Sequence, residues 1–227
     1  MRKIAVCLAV ALCNSIGWAQ SDTVYHGGMG YFAFGTQAIR VKELSDRLHQ
    51  AGYGRLSETA LLIGGGGAGV IGRFLIGGEG CAVIGRKASD TAGEASLGGG
   101  WGTFLVGYTP VVWNKIRVVV FGGIGAGGLS VELRRERGEI SFDSLLRQPV
   151  DSPQLSTGGL LVQGGLGVEI ELIPGLLVGL RGGYMLPLGW DALSMRGARI
   201  IGVPAADLQG WSVRLFIGGG SPFSTAQ

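Results

Sequence analysis

The chain has 227 residues and a formal net charge of +3; 45 residues are glycine, 46% are hydrophobic and only 15% are charged. Soluble domains average about 7% glycine and about 25% charged residues. A mean hydropathy of +0.37, with no apolar stretch past the N-terminal segment long enough for a membrane helix, leaves either a membrane β-barrel or a soluble β-protein with a large core. There is no basic tract interleaved with aromatics, so nucleic acid is not an expected partner.

Met1-Arg2-Lys3 is a short basic start, residues 4–12 form an apolar run, and Gly17-Trp18-Ala19 is a small-x-small site before Gln20. The run is too short to span a bilayer as a helix, and the order predicts a cleaved signal peptide over residues 1–19, followed by a single domain over 20–227. Arg2 and Lys3 leave with the signal, so the mature chain is near neutral. Cys7 and Cys13 leave too. Leu12 is too large to precede a lipobox cysteine, so lipidation at Cys13 is not expected. Cys81 remains, which excludes an intrachain disulfide and a thiolate metal cluster.

The first strand-like run opens at Tyr25. The connection after it, 36–57, carries a short helix: Val41, Leu44, Leu48 and Ala51 fall at helical spacing, Lys42, Glu43, Asp46 and Arg47 lie off that face, and Gly52 is the stop. Runs 61–71 and 74–84 follow. A two-residue turn at Gly72-Arg73 sets Ile71 opposite Phe74 and places Leu61, Ile63, Ile76 and Ile84 on one face. Runs 95–108 and 116–133 flank a short connection over 110–114, and they alternate too loosely for their faces to be assigned. In run 156–172 the even positions include Leu160, Val162, Leu166, Val168 and Ile170, while Gln163, Glu169 and Glu171 share the other face with glycines. Beyond Ile173-Pro174-Gly175, Leu176, Val178, Leu180 and Leu186 oppose Gly179, Arg181 and Gly183. Matching the two apolar faces sets Leu172 opposite Leu176. The last run, 211–220, puts Trp211, Val213, Leu215 and Ile217 on one side and Ser212, Arg214 and Gly218 on the other.

Eight runs, joined by connections that alternate between long (36–57, 87–93, 134–154, 187–209) and short, describe an all-β fold. It is a closed eight-stranded antiparallel up-and-down transmembrane barrel with one short helix in the first long loop. The alternative is a soluble, periplasmic or secreted lipocalin-like barrel that binds an apolar ligand inside. The period of two fits both. The export signal and the loop rhythm favour the membrane barrel, in the bacterial outer membrane and in contact with its lipid, with a structural, binding or narrow-passage role. Glycine runs at 64–67, 98–100 and 218–220 suit tight curvature. They are not a nucleotide site, because no GxxxxGK[ST] occurs and the GxGxxG-like stretches lie inside strands.

With the apolar faces turned to lipid, Glu79, Glu169, Glu171, Arg181 and Arg214 point inward, with Arg181 opposite Gly167 and diagonal to Glu169. Buried charges must pair, so these five are expected to form a lumen ion-pair network. It reads as a gate or proton path, or as the structural filling of the barrel; the filling is the expectation. Catalysis has little support. His26 opens the first strand, His49 lies on the charged helix, no GxSxG elbow is present, and no HxxxH or HExxH spacing suggests a metal. No catalytic residue, metal or cofactor is expected, and a lipid-modifying enzyme at the rim is the third reading. The mixed-charge segment 134–139 is expected to be a solvated loop.

The pieces Tyr25-His26-Gly27-Gly28-Met29-Gly30-Tyr31-Phe32, Ile63-Gly64-Gly65-Gly66-Gly67 and Ile76-Gly77-Gly78-Glu79-Gly80 resemble the small eight-stranded outer-membrane barrels of the OmpA/OmpX type, Gly-rich bacterial outer-membrane proteins in particular. The resemblance covers most of the mature chain at the level of architecture. It implies insertion by the barrel-assembly machinery, and it implies no activity. One feature departs from it: such barrels usually end on an aromatic that the machinery recognises, whereas Phe223 is followed by Ser224-Thr225-Ala226-Gln227.

Overall fold

A computed structural model describes residues 26–134, 153–191, 194–195, 198–199 and 204–220. The segment expected to be a signal peptide, most of the 134–154 connection and Phe223 lie outside the described residues. The main strands are β1 (His26–Ala38), β2 (Thr59–Ile71), β3 (Phe74–Ile84), β4 (Gly93–Trp113), β5 (Ile116–Arg134), β6 (Gln154–Ile173), β7 (Leu176–Leu188) and β8 (Gly210–Gly220). Each pairs antiparallel with its chain neighbours, and β1 pairs with β8, which closes the ring. Closure leaves these strands without a free edge, as a barrel in hydrocarbon requires. A short strand at Ala88–Asp90 extends the β4 edge, and Ser194–Met195 lies beside β6 at Ser156.

The short turns lie at one end, together with the start of β1 and the end of β8. At Gly72-Arg73, Ile71 pairs with Phe74 as expected, and Gly72 takes the positive φ that a tight hairpin asks of its first central residue. The 110–114 turn is corrected: β4 continues to Trp113 and the turn is Asn114-Lys115, with Asn114 at φ 53°. Pro110 lacks the N–H a regular ladder needs, and the chain accommodates it in an irregularity between Tyr108 and Val111 rather than by turning there. The third turn is Pro174-Gly175, so Ile173, not Leu172, pairs with Leu176. Pro followed by a positive-φ Gly is a type II turn, whose twist splays the strands. A bulge between Glu171 and Ile173 absorbs the mismatch, and from Glu171↔Leu177 inward the expected register holds, with Gly167 opposite Arg181.

The outer surface is apolar. Leu160, Leu166, Val168, Leu180, Val213, Leu215 and Ile217 are exposed, Val162, Leu176 and Val178 are half-buried, and none of these points into the lumen. Leu61, Ile63, Ile76 and Ile84 continue the band, and Trp113 (75% exposed) and Trp211 (68%) stand at opposite ends of it. A lipocalin-like barrel would carry this surface inside; here it is the girdle of a barrel immersed in lipid. The unassigned faces of β4 and β5 resolve the same way, with Phe104, Val106, Val120 and Ile124 outward and Trp101, Leu105, Val119 and Phe121 inward. Their alternation was faint because the lumen beside them is apolar too.

Inward glycines set how closely the wall can curve. A Cβ on Gly125 would lie 1.9 Å from the Gly102 carbonyl oxygen of the adjacent strand, and one on Gly64 would lie 2.0 Å from that of Gly80. Side chains at these positions would push the strands apart.

Candidate functional site

The lumen holds a layer of charge. Glu79 on β3, Arg117 on β5, Glu169 on β6, Arg181 on β7 and Arg214 on β8 are all inward and 0–7% exposed. They form an unbroken chain of alternating sign. Arg117 pairs with Glu169; Arg181 reaches Glu169 at 2.7 Å and Glu79 at 3.3 Å; Arg214 pairs with the other oxygen of Glu79. Arg181 and Arg214 are direct cross-strand partners. Like charges in that position repel, and Glu79 from the opposite wall holds them together by accepting from both.

Neutral groups complete the layer. The Tyr31 hydroxyl on β1 accepts from Arg181 at 2.7 Å and donates to Glu79 at 2.9 Å. Gln163 on β6 donates to Glu79 at 3.2 Å and also to the Thr103 hydroxyl on β4. Every strand but β2 supplies a side chain; β2 supplies Gly66, where a Cβ would fall 2.7 Å from the Tyr31 hydroxyl. The Arg181 guanidinium lies 4.7 Å from the Phe216 ring centre and 4.8 Å from that of Tyr31, and Arg214 lies 5.2 Å from that of Trp101. Aromatic faces attract a desolvated cation, which matters because the Nε–H groups of these two arginines make no hydrogen bond among the described residues. Taking five ions out of water is costly, and such a chain persists only if each charge meets its complement.

Of the five predicted lumen charges, Glu79, Glu169, Arg181 and Arg214 come together. Glu171 is corrected: it is half-buried at the short-turn end, where its carboxylate accepts the Gly175 N–H at 3.0 Å. It shares the inward face with Glu169, one pair nearer the turn and opposite Leu177, close enough for its charge to act on Arg117 but outside the chain of ion pairs. Arg117 was missed, because it sits on the run whose face was unassigned; its register opposite Glu169 was the signal that could have found it. Tyr31, Thr103 and Gln163 were missed as uncharged positions on inward faces.

Above this layer, toward the long loops, the lumen is apolar. Helix α1 (Lys42–Gln50) lies over the mouth, and Val41, Leu44 and Leu48 pack into one cluster with Leu56, Leu62, Val83, Leu97, Trp101, Leu161, Met185 and Leu208. Gln37, 0% exposed, binds this roof to the wall: its amide donates to the Leu208 carbonyl at 3.0 Å and accepts from the Trp101 indole at 3.1 Å. The helix occupies the predicted segment, and its apolar face closes the mouth. His49 sits with Nδ1 3.4 Å from Asp90, while His26 opens β1 at the far end, so the two histidines do not meet. Among the described residues no group of three His, Cys, Asp or Glu side chains could hold a metal, and Cys81 is a buried free thiol.

Neither a protein-family model nor a curated protein matches this sequence. Solved structures do. A major outer membrane protein from Thermus thermophilus is similar over 86% of this chain and 99% of its own, at 11% identity and a TM-score of 0.50. The outer membrane protein OprG from Pseudomonas aeruginosa is similar over 87% and 96%, at 14% identity and a TM-score of 0.46. Ail, the attachment invasion locus protein of Yersinia pestis, is similar over 87% and 97%, at 12% identity and a TM-score of 0.45. With its closed ring and lipid-facing girdle, the chain has the fold of the small bacterial outer-membrane β-barrel proteins.

Proposed function

We propose that this barrel is a closed scaffold in the outer membrane, which holds its long connections at the outer surface, passes no solute and performs no chemistry. The observation that carries the reading is the alternating chain Arg117–Glu169–Arg181–Glu79–Arg214 across the lumen. Ions whose partners are already in place offer a passing solute no coordination, and separating them in low dielectric is costly. The apolar cluster under α1 supplies a second barrier above it. Its partners on this reading are outer-membrane lipid along the girdle and the assembly machinery that inserts it. His26 and His49 receive no catalytic role.

Conductance in planar bilayers is the test. The purified protein is expected to give no discrete current steps; reproducible steps from the unmodified protein would overturn the reading.

A further inference from the structure

The two barriers differ in how they are attached. The charged layer is made of side chains on strands. The upper barrier belongs to the connection 39–58, which leaves the wall above the Ile39 N–H to Glu58 carbonyl bond of 2.9 Å, the last rung between its two ends. A nine-residue helix is too short to persist alone in water, so α1 stays over the mouth through its buried face and through ties to its neighbours. On one side Ala92 N–H donates to the Gly52 carbonyl at 2.8 Å. On the other, Arg40 and Asp207 exchange two backbone hydrogen bonds, each 3.1 Å, and their side chains form an ion pair. Asp207 is 2% exposed whereas the Arg40 side chain is 53% exposed, so a buried carboxylate depends on a cation that solvent can reach.

We propose that the 39–58 connection is a separable cap, latched to the last loop by Arg40 and Asp207, and that releasing this latch opens the outer chamber of the lumen while the charged layer beneath stays shut. The inference rests on the reading above that the lumen is closed twice. Without Arg40 the buried Asp207 carboxylate keeps only the Gln209 N–H, at 2.9 Å, and has no counter-charge; hydrating it requires its contact with the 39–58 connection to loosen. The barrel ladder need not change, because the connection departs above its last rung.

Cys81 reports on the outer chamber. It faces inward on β3, belongs to the cluster under α1, and is the single thiol between residues 20 and 227. Leu75, closer to the short turns on the same strand, is buried in a separate cluster with Met29, Leu177 and Phe216. In detergent micelles, a bulky hydrophilic maleimide is expected to label Cys81 slowly in the parent protein. In Asp207→Asn and in Arg40→Gln it should label about tenfold faster or more, as local opening becomes more frequent. A thiol placed below the charges (Leu75→Cys, with Cys81→Ala) should keep its slow rate when Asp207→Asn is added. An unchanged Cys81 rate would overturn the proposal. Equal acceleration at both positions would also overturn it, since the whole barrel would have loosened. Loss of heat-modifiable migration in both latch variants would do the same, because the pair would then be a tie of the barrel and not of a cap. Current steps from the parent protein would instead overturn the closed-scaffold reading, without bearing on the labelling rates.

Discussion

The charged layer and the capped chamber both close one lumen, by opposite means. The layer is built of groups that are very unfavourable if left alone: each ion is tolerable only because strand register delivers its partner. The chamber is built of groups that lose nothing by being alone and gain by crowding together, and its roof comes from loops rather than strands. Disturbing the first should therefore be felt through the whole barrel. Disturbing the second should be felt locally.

The strongest way to break the contrast is Arg181→Leu. It strips Glu79 and Glu169 of a shared partner and leaves the two carboxylates to Arg117, Arg214, Tyr31 and Gln163. Removing one member of a buried pair costs about 3–5 kcal/mol, and urea unfolding from lipid vesicles should register a loss of that size in a single transition. If unfolding were unaffected, the layer would not be stabilising the fold. Leu48→Ala tests the other region. Losing a buried leucine costs about 2–5 kcal/mol; at the roof, amide exchange should rise in 39–58 while β3 and β6 stay protected. Acceleration spread evenly over all strands would erase the distinction between cap and wall. The smallest effect is expected at Glu171→Gln, because the amide oxygen can still accept the Gly175 N–H at the rim. Its stability should stay within about 0.5 kcal/mol of the parent, the usual range for exposed substitutions; a larger loss would return Glu171 to the buried network.

Much of this was legible in the amino-acid sequence. The even positions of 156–172 and the odd positions of 211–220 identified the apolar face, because alternation survives wherever the other side is polar or small. That face also put Glu169, Arg181 and Arg214 inward. Where the lumen side is itself apolar, as around Val119, Phe121 and Leu129, alternation fades, and Arg117 was lost with it. Turn chemistry was readable at Gly72-Arg73. It was misread at Pro110, where proline signalled an irregularity inside a strand and not its end.

The amino-acid sequence alone determined the number of main strands, their alternating connections and, where alternation was clear, which side chains share the apolar face, since all three are local properties of a chain with period two. That this face lies outside the ring is seen only in the closed barrel. Tertiary structure decided which charges meet. Glu79 touches Arg181 and Arg214 from strands more than 100 residues away, so the contact depends on ring closure and strand stagger, which no local pattern encodes. It likewise decided that α1 closes the mouth. An amphipathic nine-residue helix states only that one face will be buried; the ring beneath it supplies what that face is buried against.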